Sequence, residues 1–177
     1  AGGYSILHVN PISYLLPGFI QALVAGFVAE ILLIGIIFRI TEEKAGTVMA
    51  LIVMILLFTI AHGTVKGATL LSVCATVVHA GILPGAVYVF SRKLWFPIFL
   101  HFAWDFAEPT IFGGINPGIS VTKNLFQSKF SDSVLLTGGQ FGPQNSLQSA
   151  VLCLITALLF LWLAKRKKNF INPNWKK

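Results

Sequence analysis

Charge is scarce in this sequence of 177 residues, and the scarcity excludes an ordinary soluble domain. Only 11% of the residues are charged and 55% are hydrophobic, whereas soluble domains carry about 25% charged residues. Acidic residues number 6, against 13 Lys and Arg. The composition therefore predicts an all-α, polytopic helical membrane protein.

Cysteine is also scarce, and its two positions argue against a disulfide framework or a cysteine-based metal site. Cys74 and Cys153 both lie within apolar runs, where a cysteine usually behaves as a small buried hydrophobic residue. A basic segment before the first apolar run is missing as well, so we expect no cleavable signal peptide. The chain starts at Ala1 rather than Met, so we expect that residues precede it.

Five apolar runs organise the chain, and most are long enough to cross a bilayer. We expect spans at about residues 15–40, 47–62, 68–90, 94–112 and 146–164 of a single domain, 1–177. The Gly-, Ser-, Asn- and Pro-rich stretch 113–145 is expected to be an extracytoplasmic loop. Gly81 and Gly85 have a spacing typical of close helix packing. The sequence shows no inverted repeat, which argues against a transporter.

The basic residues favour one orientation in the membrane. Ten of the 13 fall on the side where the first span ends. They are Arg39, Lys44, Arg92, Lys93, Lys165, Arg166, Lys167, Lys168, Lys176 and Lys177. The positive-inside rule makes that side cytoplasmic, with the N-terminus outside and the C-terminus inside. This asymmetry explains the net charge of +7 without a nucleic-acid partner. The pair Glu42 and Glu43 is expected to be solvated in a cytoplasmic turn.

Ionisable residues inside the apolar runs are the candidates for function, because such groups are costly in a bilayer. The stretch WFPIFLHFAWDFAE places His101, Asp105 and Glu108 on one face of a helix. Counted from the cytoplasmic turns, Glu30, His101 and Asp105 lie at similar depth, so they can meet on neighbouring helices. By the same count His62 lies farther from the cytoplasmic turns than these three residues. We interpret His79, a lone histidine within a span, as a packing residue.

The set Glu30, His62, His101 and Asp105 suits two kinds of chemistry. Carboxylate and imidazole groups can take a proton from water and can hold a developing oxyanion. The same set matches the oxygen and nitrogen ligands of zinc. The residues by themselves leave open a hydrolase, a zinc site and a hydrogen-bonded group without chemistry.

At these residues the chain resembles the CPBP intramembrane proteases, which include the CAAX prenyl endopeptidases and the bacterial Abi proteins. Phe58 and His62 in FTIAH match the F-x-x-x-H motif of that family. His101 and Asp105 in HFAWDF match its H-x-x-x-N or D motif. The segments AGFVAEILLIGIIFR and TGGQFGPQNS are also similar, so the resemblance covers nearly the whole chain.

The first family motif is incomplete in this chain. The family has a Glu pair with Arg four residues after the second Glu, and Ala29, Glu30 and Ile34 stand at these positions. Three explanations fit Ala29. The first is an engineered substitution of the first Glu, but the accompanying loss of Arg at Ile34 argues against it, since one substitution would suffice. The other two remain open: the chain could be a natural inactive member, or Glu30 could have become the base.

The resemblance implies an intramembrane endopeptidase of CAAX-protease type in a prokaryotic cell membrane, hydrolysing hydrophobic or prenylated peptides. His62 would orient the attacking water, and His101 with Asp105 would hold the oxyanion or bind a metal. Phe58 and Trp104 are the expected substrate contacts. The alternative is a catalytically inactive member that acts as a membrane scaffold, an immunity-type protein or a peptide-binding protein.

Overall fold

The apolar runs form helices in the computed structural model, which describes residues 3–115, 123–131 and 133–174. The α-helices of this part are α1 Leu15–Glu30, α2 Arg39–Gly63, α3 Leu70–Thr76, α4 Leu83–Ser91, α5 Trp95–Phe106, α6 Val134–Thr137 and α7 Leu147–Arg166. The π-helical stretches Ile31–Phe38, Val77–Ile82 and Ala107–Ile111 continue α1, α3 and α5. Lys176, Lys177 and part of the predicted loop lie outside the described residues.

Three helices of the described part are long and apolar enough to cross a membrane: Ile12–Gly63, Leu70–Ser91 and Leu147–Arg166. The first contains 52 residues but breaks at Gly46, where φ is 84°. A Cβ atom at Gly46 would lie 2.9 Å from the carbonyl oxygen of Ile171, so both the backbone angle and the space require glycine. The break coincides with the predicted turn, and the two arms then pack together through Phe38 and Met54.

Much of the helical surface is apolar and faces outward, as expected of helices surrounded by lipid. Only 22% of the most apolar window of Ile12–Gly63 is buried, and only 17% of that of Leu147–Arg166. Exposed large residues on α7 include Leu152, Ile155, Leu158, Leu159 and Trp162. The helical class of an integral membrane protein is therefore confirmed.

A two-stranded sheet, which the sequence did not predict, joins the N-terminal segment to the loop after α5. Strand β1, Tyr4–Val9, pairs antiparallel with β2, Phe126–Phe130. The register is irregular between Ile6 and His8. The strictly all-α prediction was thus wrong for these segments, because the pairing joins residues more than a hundred positions apart.

A polar cluster around the buried residues Glu42 and Thr47, here called the clasp, also includes Arg92, Asn169 and Ile171. The Oγ1 atom of Thr47 donates to Oε1 of Glu42 at 2.6 Å, and Nη1 of Arg92 donates to Oε2 at 2.6 Å. Arg92 also donates to the carbonyl oxygen of Asn169. Ile171 donates its N–H to Thr47. The prediction that Glu42 is solvated was wrong: it is 2% exposed, because the chain after α7 folds back over the turn.

Candidate functional site

A stripe of small residues on α1 brings the first functional side chain into place. Gly18, Ala22, Gly26 and Glu30 recur every four residues, so they share one helix face, and all four are buried. A Cβ atom at Gly26 would lie 2.9 Å from the backbone nitrogen of Phe102. The backbones of α1 and α5 therefore touch, and Glu30 can reach α5 one turn farther along.

Glu30, His101 and Asp105 form a continuous chain of contacts, here called the ladder. Oε1 of Glu30 lies 2.8 Å from Nδ1 of His101. Oδ2 of Asp105 lies 3.1 Å from Nε2 of the same ring. The predicted meeting of these three residues is confirmed. Since both ring nitrogens face carboxyl oxygens, either the imidazole carries two protons or one carboxyl group carries a proton.

The ladder borders a cavity of about 260 Å³, large enough for several water molecules. Its lining is mainly apolar but contains all three imidazoles of the helical core and several polar groups from the loop. The lining includes Ala25, Ala29, Phe58, His62, Thr76, His79, His101, Trp104, Asp105, Gln144 and Asn145. His62 thus shares a cavity with His101, although residue counting from the cytoplasmic turns placed the two at different depths. Glu30 is 1% exposed and lies behind His101 rather than in the lining.

The incomplete first motif has a clear place in the structure. Ala29 lines the cavity, so a glutamate at this position would extend its carboxylate into the space beside His62 and His101. Ile34 is 0% exposed and packs in an apolar cluster with Phe38. An arginine at position 34 would bury an unpaired charge, which costs several kcal/mol.

His62 has a defined ring orientation at the cavity wall. Its Nδ1 atom lies 3.3 Å from the carbonyl oxygen of Phe58, one turn earlier on α2. A carbonyl oxygen only accepts hydrogen bonds, so Nδ1 carries the proton in this contact. The neutral ring then has its lone pair on Nε2. Phe58 also stacks on the ring at a centroid distance of 5.8 Å.

Trp104 connects the cavity to the loop before α7. Its ring is stacked on His79, with centroids 5.7 Å apart and planes 3° apart. Its Nε1 donates to Oε2 of Glu108 at 3.1 Å, and the backbone N–H of Gln144 donates to Oε1 of Glu108 at 2.8 Å. Glu108, predicted on the same helix face as His101 and Asp105, is buried and does not line this cavity. Glu108 lies in the π-helical stretch Ala107–Ile111, whose wider turn departs from the α-helical spacing on which that prediction rested.

Gln144 and Asn145 are cavity residues that sequence reasoning did not identify. The Oγ1 atom of Thr76 donates to the side-chain oxygen of Asn145 at 2.8 Å, and Asn145 donates to the carbonyl oxygen of Phe141. The similarity of TGGQFGPQNS to the family was the available signal, but it indicated no role. His79 was interpreted as a packing residue, yet it lines the cavity.

The described residues do not assemble a metal-ligand set. No three His, Cys, Asp or Glu side chains of residues 3–115, 123–131 and 133–174 converge as a metal site would require. In the ladder, both ring nitrogens of His101 face carboxyl oxygens instead. The residues present thus do not fit zinc in this arrangement. Zinc binding stays a prediction.

The helices and the ladder define the broad class: a helical membrane protein with carboxylate and imidazole groups beside a cavity. The sequence model of the family described as Type II CAAX prenyl endopeptidase Rce1-like matches residues 11–107, more than half of the chain. The chain belongs to this family, as the motifs predicted. The matched range includes Glu30, His62, His101 and Asp105. No curated protein and no solved structure matches the chain.

Proposed function

We propose that the protein is an intramembrane endopeptidase of CAAX-protease type, acting on hydrophobic or prenylated peptides. One observation carries the proposal: His101 bridges Glu30 and Asp105 on the wall of a cavity that also contains His62. Family membership supports the same activity. Buried ionisable groups in an apolar helix bundle are costly, and hydrolysis inside the cavity gives them a use.

His62 is the proposed base. Its Nε2 lone pair takes one proton from a cavity water while the water oxygen bonds to the peptide carbonyl carbon. The tetrahedral intermediate then collapses, the C–N bond breaks, and the proton passes from His62 to the leaving amine nitrogen. The second amide N–H of Asn145 is free of the Phe141 contact and is the proposed donor to the oxyanion. Glu30 and Asp105 hold the charge and orientation of His101.

The proposed setting is a prokaryotic cell membrane with five spans. The helix Trp95–Phe106 with its continuation Ala107–Ile111 would form the fourth span, and the break at Gly46 separates the first two. The basic ends at Arg92 and at Lys165 would face the cytoplasm, with the N-terminus outside. The exposed apolar faces of α1 and α7 would contact lipid.

Cleavage by the purified protein tests this function. The protein in lipid nanodiscs is incubated with a fluorescence-quenched prenylated peptide, alongside the His62→Ala variant. We expect cleavage by the unaltered chain and a decrease of about 10²–10⁴-fold in the variant. His8→Ala is the matched control, because His8 is exposed on β1. Equal cleavage by His62→Ala would contradict the proposal.

The inactive alternative rests on Ala29, which leaves the cavity without the first family carboxylate. Its test is Ala29→Glu alone. Adding Ile34→Arg would bury a charge in an apolar cluster and confuse the result. Peptide binding without cleavage in the unaltered chain, followed by cleavage after Ala29→Glu, would establish the alternative.

A further inference from the structure

His79 is a buried polar side chain that the proposed chemistry has not used. It lines the same cavity as Ala29 and His62. Its Nε2 atom is buried and has no hydrogen-bond partner among the described residues. A buried polar atom without a partner costs about 1–3 kcal/mol. Such an atom in a native structure calls for an explanation, and a bound water or substrate group is a common one.

The surroundings of His79 fix the plane of its ring. Trp104 lies parallel to the imidazole, and Trp104 is itself held by the carboxylate of Glu108. Glu108 accepts a further hydrogen bond from the backbone of Gln144. The ring also lies in the π-helical stretch Val77–Ile82, a geometry often found at functional sites. Two layers of contacts therefore orient a nitrogen that has no hydrogen-bond partner in the described part of the chain.

The cavity of this chain lacks the first glutamate of the family motif, at position 29. Position 29 lines the cavity but carries only a methyl group. Glu30 cannot supply the missing carboxylate to the cavity directly, because it lies behind His101. Of the cavity imidazoles, His101 has both nitrogens engaged by carboxyl oxygens. That leaves His62 and His79 with ring nitrogens that can bind water.

We propose that His79 is a further catalytic residue, which holds the attacking water in the place of the carboxylate missing at Ala29. This inference rests on the proposed hydrolase function. One water hydrogen points to Nε2 of His62, which takes that proton in the hydrolytic step. The other hydrogen is donated to the unpaired Nε2 of His79 and remains on the oxygen. The substrate class is unchanged, and the peptide and the water are the only reactants.

The test uses His79→Phe, which keeps an aromatic ring against Trp104 but removes both nitrogens. We expect kcat for the prenylated peptide to fall at least tenfold, KM to change less than threefold, and the midpoint of thermal unfolding to stay within about 2 °C. Adding Ala29→Glu to His79→Phe should restore at least a third of the lost rate. Ala25→Glu is the matched control, because Ala25 lines the cavity one turn earlier; it should restore nothing.

Two outcomes overturn the inference while the proposed function stands. The first is an active His79→Phe variant in a protein whose His62→Ala variant is inactive. The second is an inactive His79→Phe variant that Ala29→Glu does not restore, since His79 would then only support Trp104. Absence of cleavage by the unaltered chain would instead refute the proposed function, and with it the inference.

Discussion

Two buried glutamates, Glu42 in the clasp and Glu30 in the ladder, illustrate how differently the protein treats charge at its two polar clusters. Glu42 has both oxygens engaged, one by Thr47 and one by Arg92. Glu30 has one oxygen bonded to His101, while Oε2 is buried without a hydrogen-bond partner among the described residues. Full satisfaction is typical of a structural cluster, whereas incomplete satisfaction is tolerated where a site does chemistry.

The neighbours of the two clusters point the same way. The clasp joins three separate parts of the chain. Arg92 donates hydrogen bonds to Glu42 and to Asn169, and Thr47 accepts one from the N–H of the segment after α7. The ladder joins α1 to α5, and it borders a cavity. Loss of the clasp should therefore lower stability, and loss of the ladder should lower activity. The following substitutions test that division, from the largest expected effect to the smallest.

Arg92→Met should have the largest effect on stability. It leaves Glu42 buried without its cation, so we expect a loss of about 2–3 kcal/mol, less than for a fully buried pair because Arg92 is partly exposed. Thermal unfolding in detergent micelles measures the loss. Peptide cleavage per folded molecule should not change. Lys93→Ala removes a neighbouring exposed charge and is the control; an equal loss there would show that the clasp is not the cause.

Gly26→Ala should lower both the stability of the protein and its cleavage rate. The added methyl group meets the backbone of α5, so we expect a loss of about 1–2 kcal/mol. The same displacement should separate Glu30 from His101 and lower cleavage. Unfolding and cleavage are both measured. Gly35→Ala is the control, because the atoms nearest to its Cβ would be in the side chain of Leu94, at 3.3 Å, and the backbone oxygen of Glu30 in its own helix, at 3.7 Å. A normal cleavage rate in Gly26→Ala would show that the close contact between α1 and α5 does not position the ladder.

The same glutamine substitution at the two glutamates gives the finest comparison. Glu42→Gln replaces a charged hydrogen bond to Arg92, so it should cost about 1–2 kcal/mol and leave cleavage unchanged. Glu30→Gln can still accept from His101 and should change stability by less than about 0.5 kcal/mol. Its cleavage rate should fall about tenfold, because a glutamine cannot ionise to balance a charge on His101. Equal changes in stability and in cleavage rate in the two variants would refute the assignment of a structural role to Glu42 and a catalytic role to the ladder.

Much of the site was predictable because it depends on local spacing. His101 and Asp105 are four residues apart on one helix, and counting placed Glu30 at their depth. The turn at Gly46 followed from the polar segment between two apolar runs. The errors share a cause: Glu42, Glu108 and the β1–β2 pairing depend on distant partners. Asn169 lies 77 positions from Arg92, and Gln144 lies 36 positions from Glu108.

The sequence by itself determined the membrane class and the helical runs, which follow from composition and periodicity along the chain. Its motifs indicated the family, and residue counting predicted that Glu30, His101 and Asp105 can meet. Only the tertiary structure decided which face of each helix is closed and which borders a cavity. It placed Ala29 in the lining and Glu30 behind it, and it brought His79 to the same wall. Neighbouring positions on a helix point in directions about 100° apart. Ala29 therefore lines the cavity, whereas Glu30, the next residue, is buried against His101.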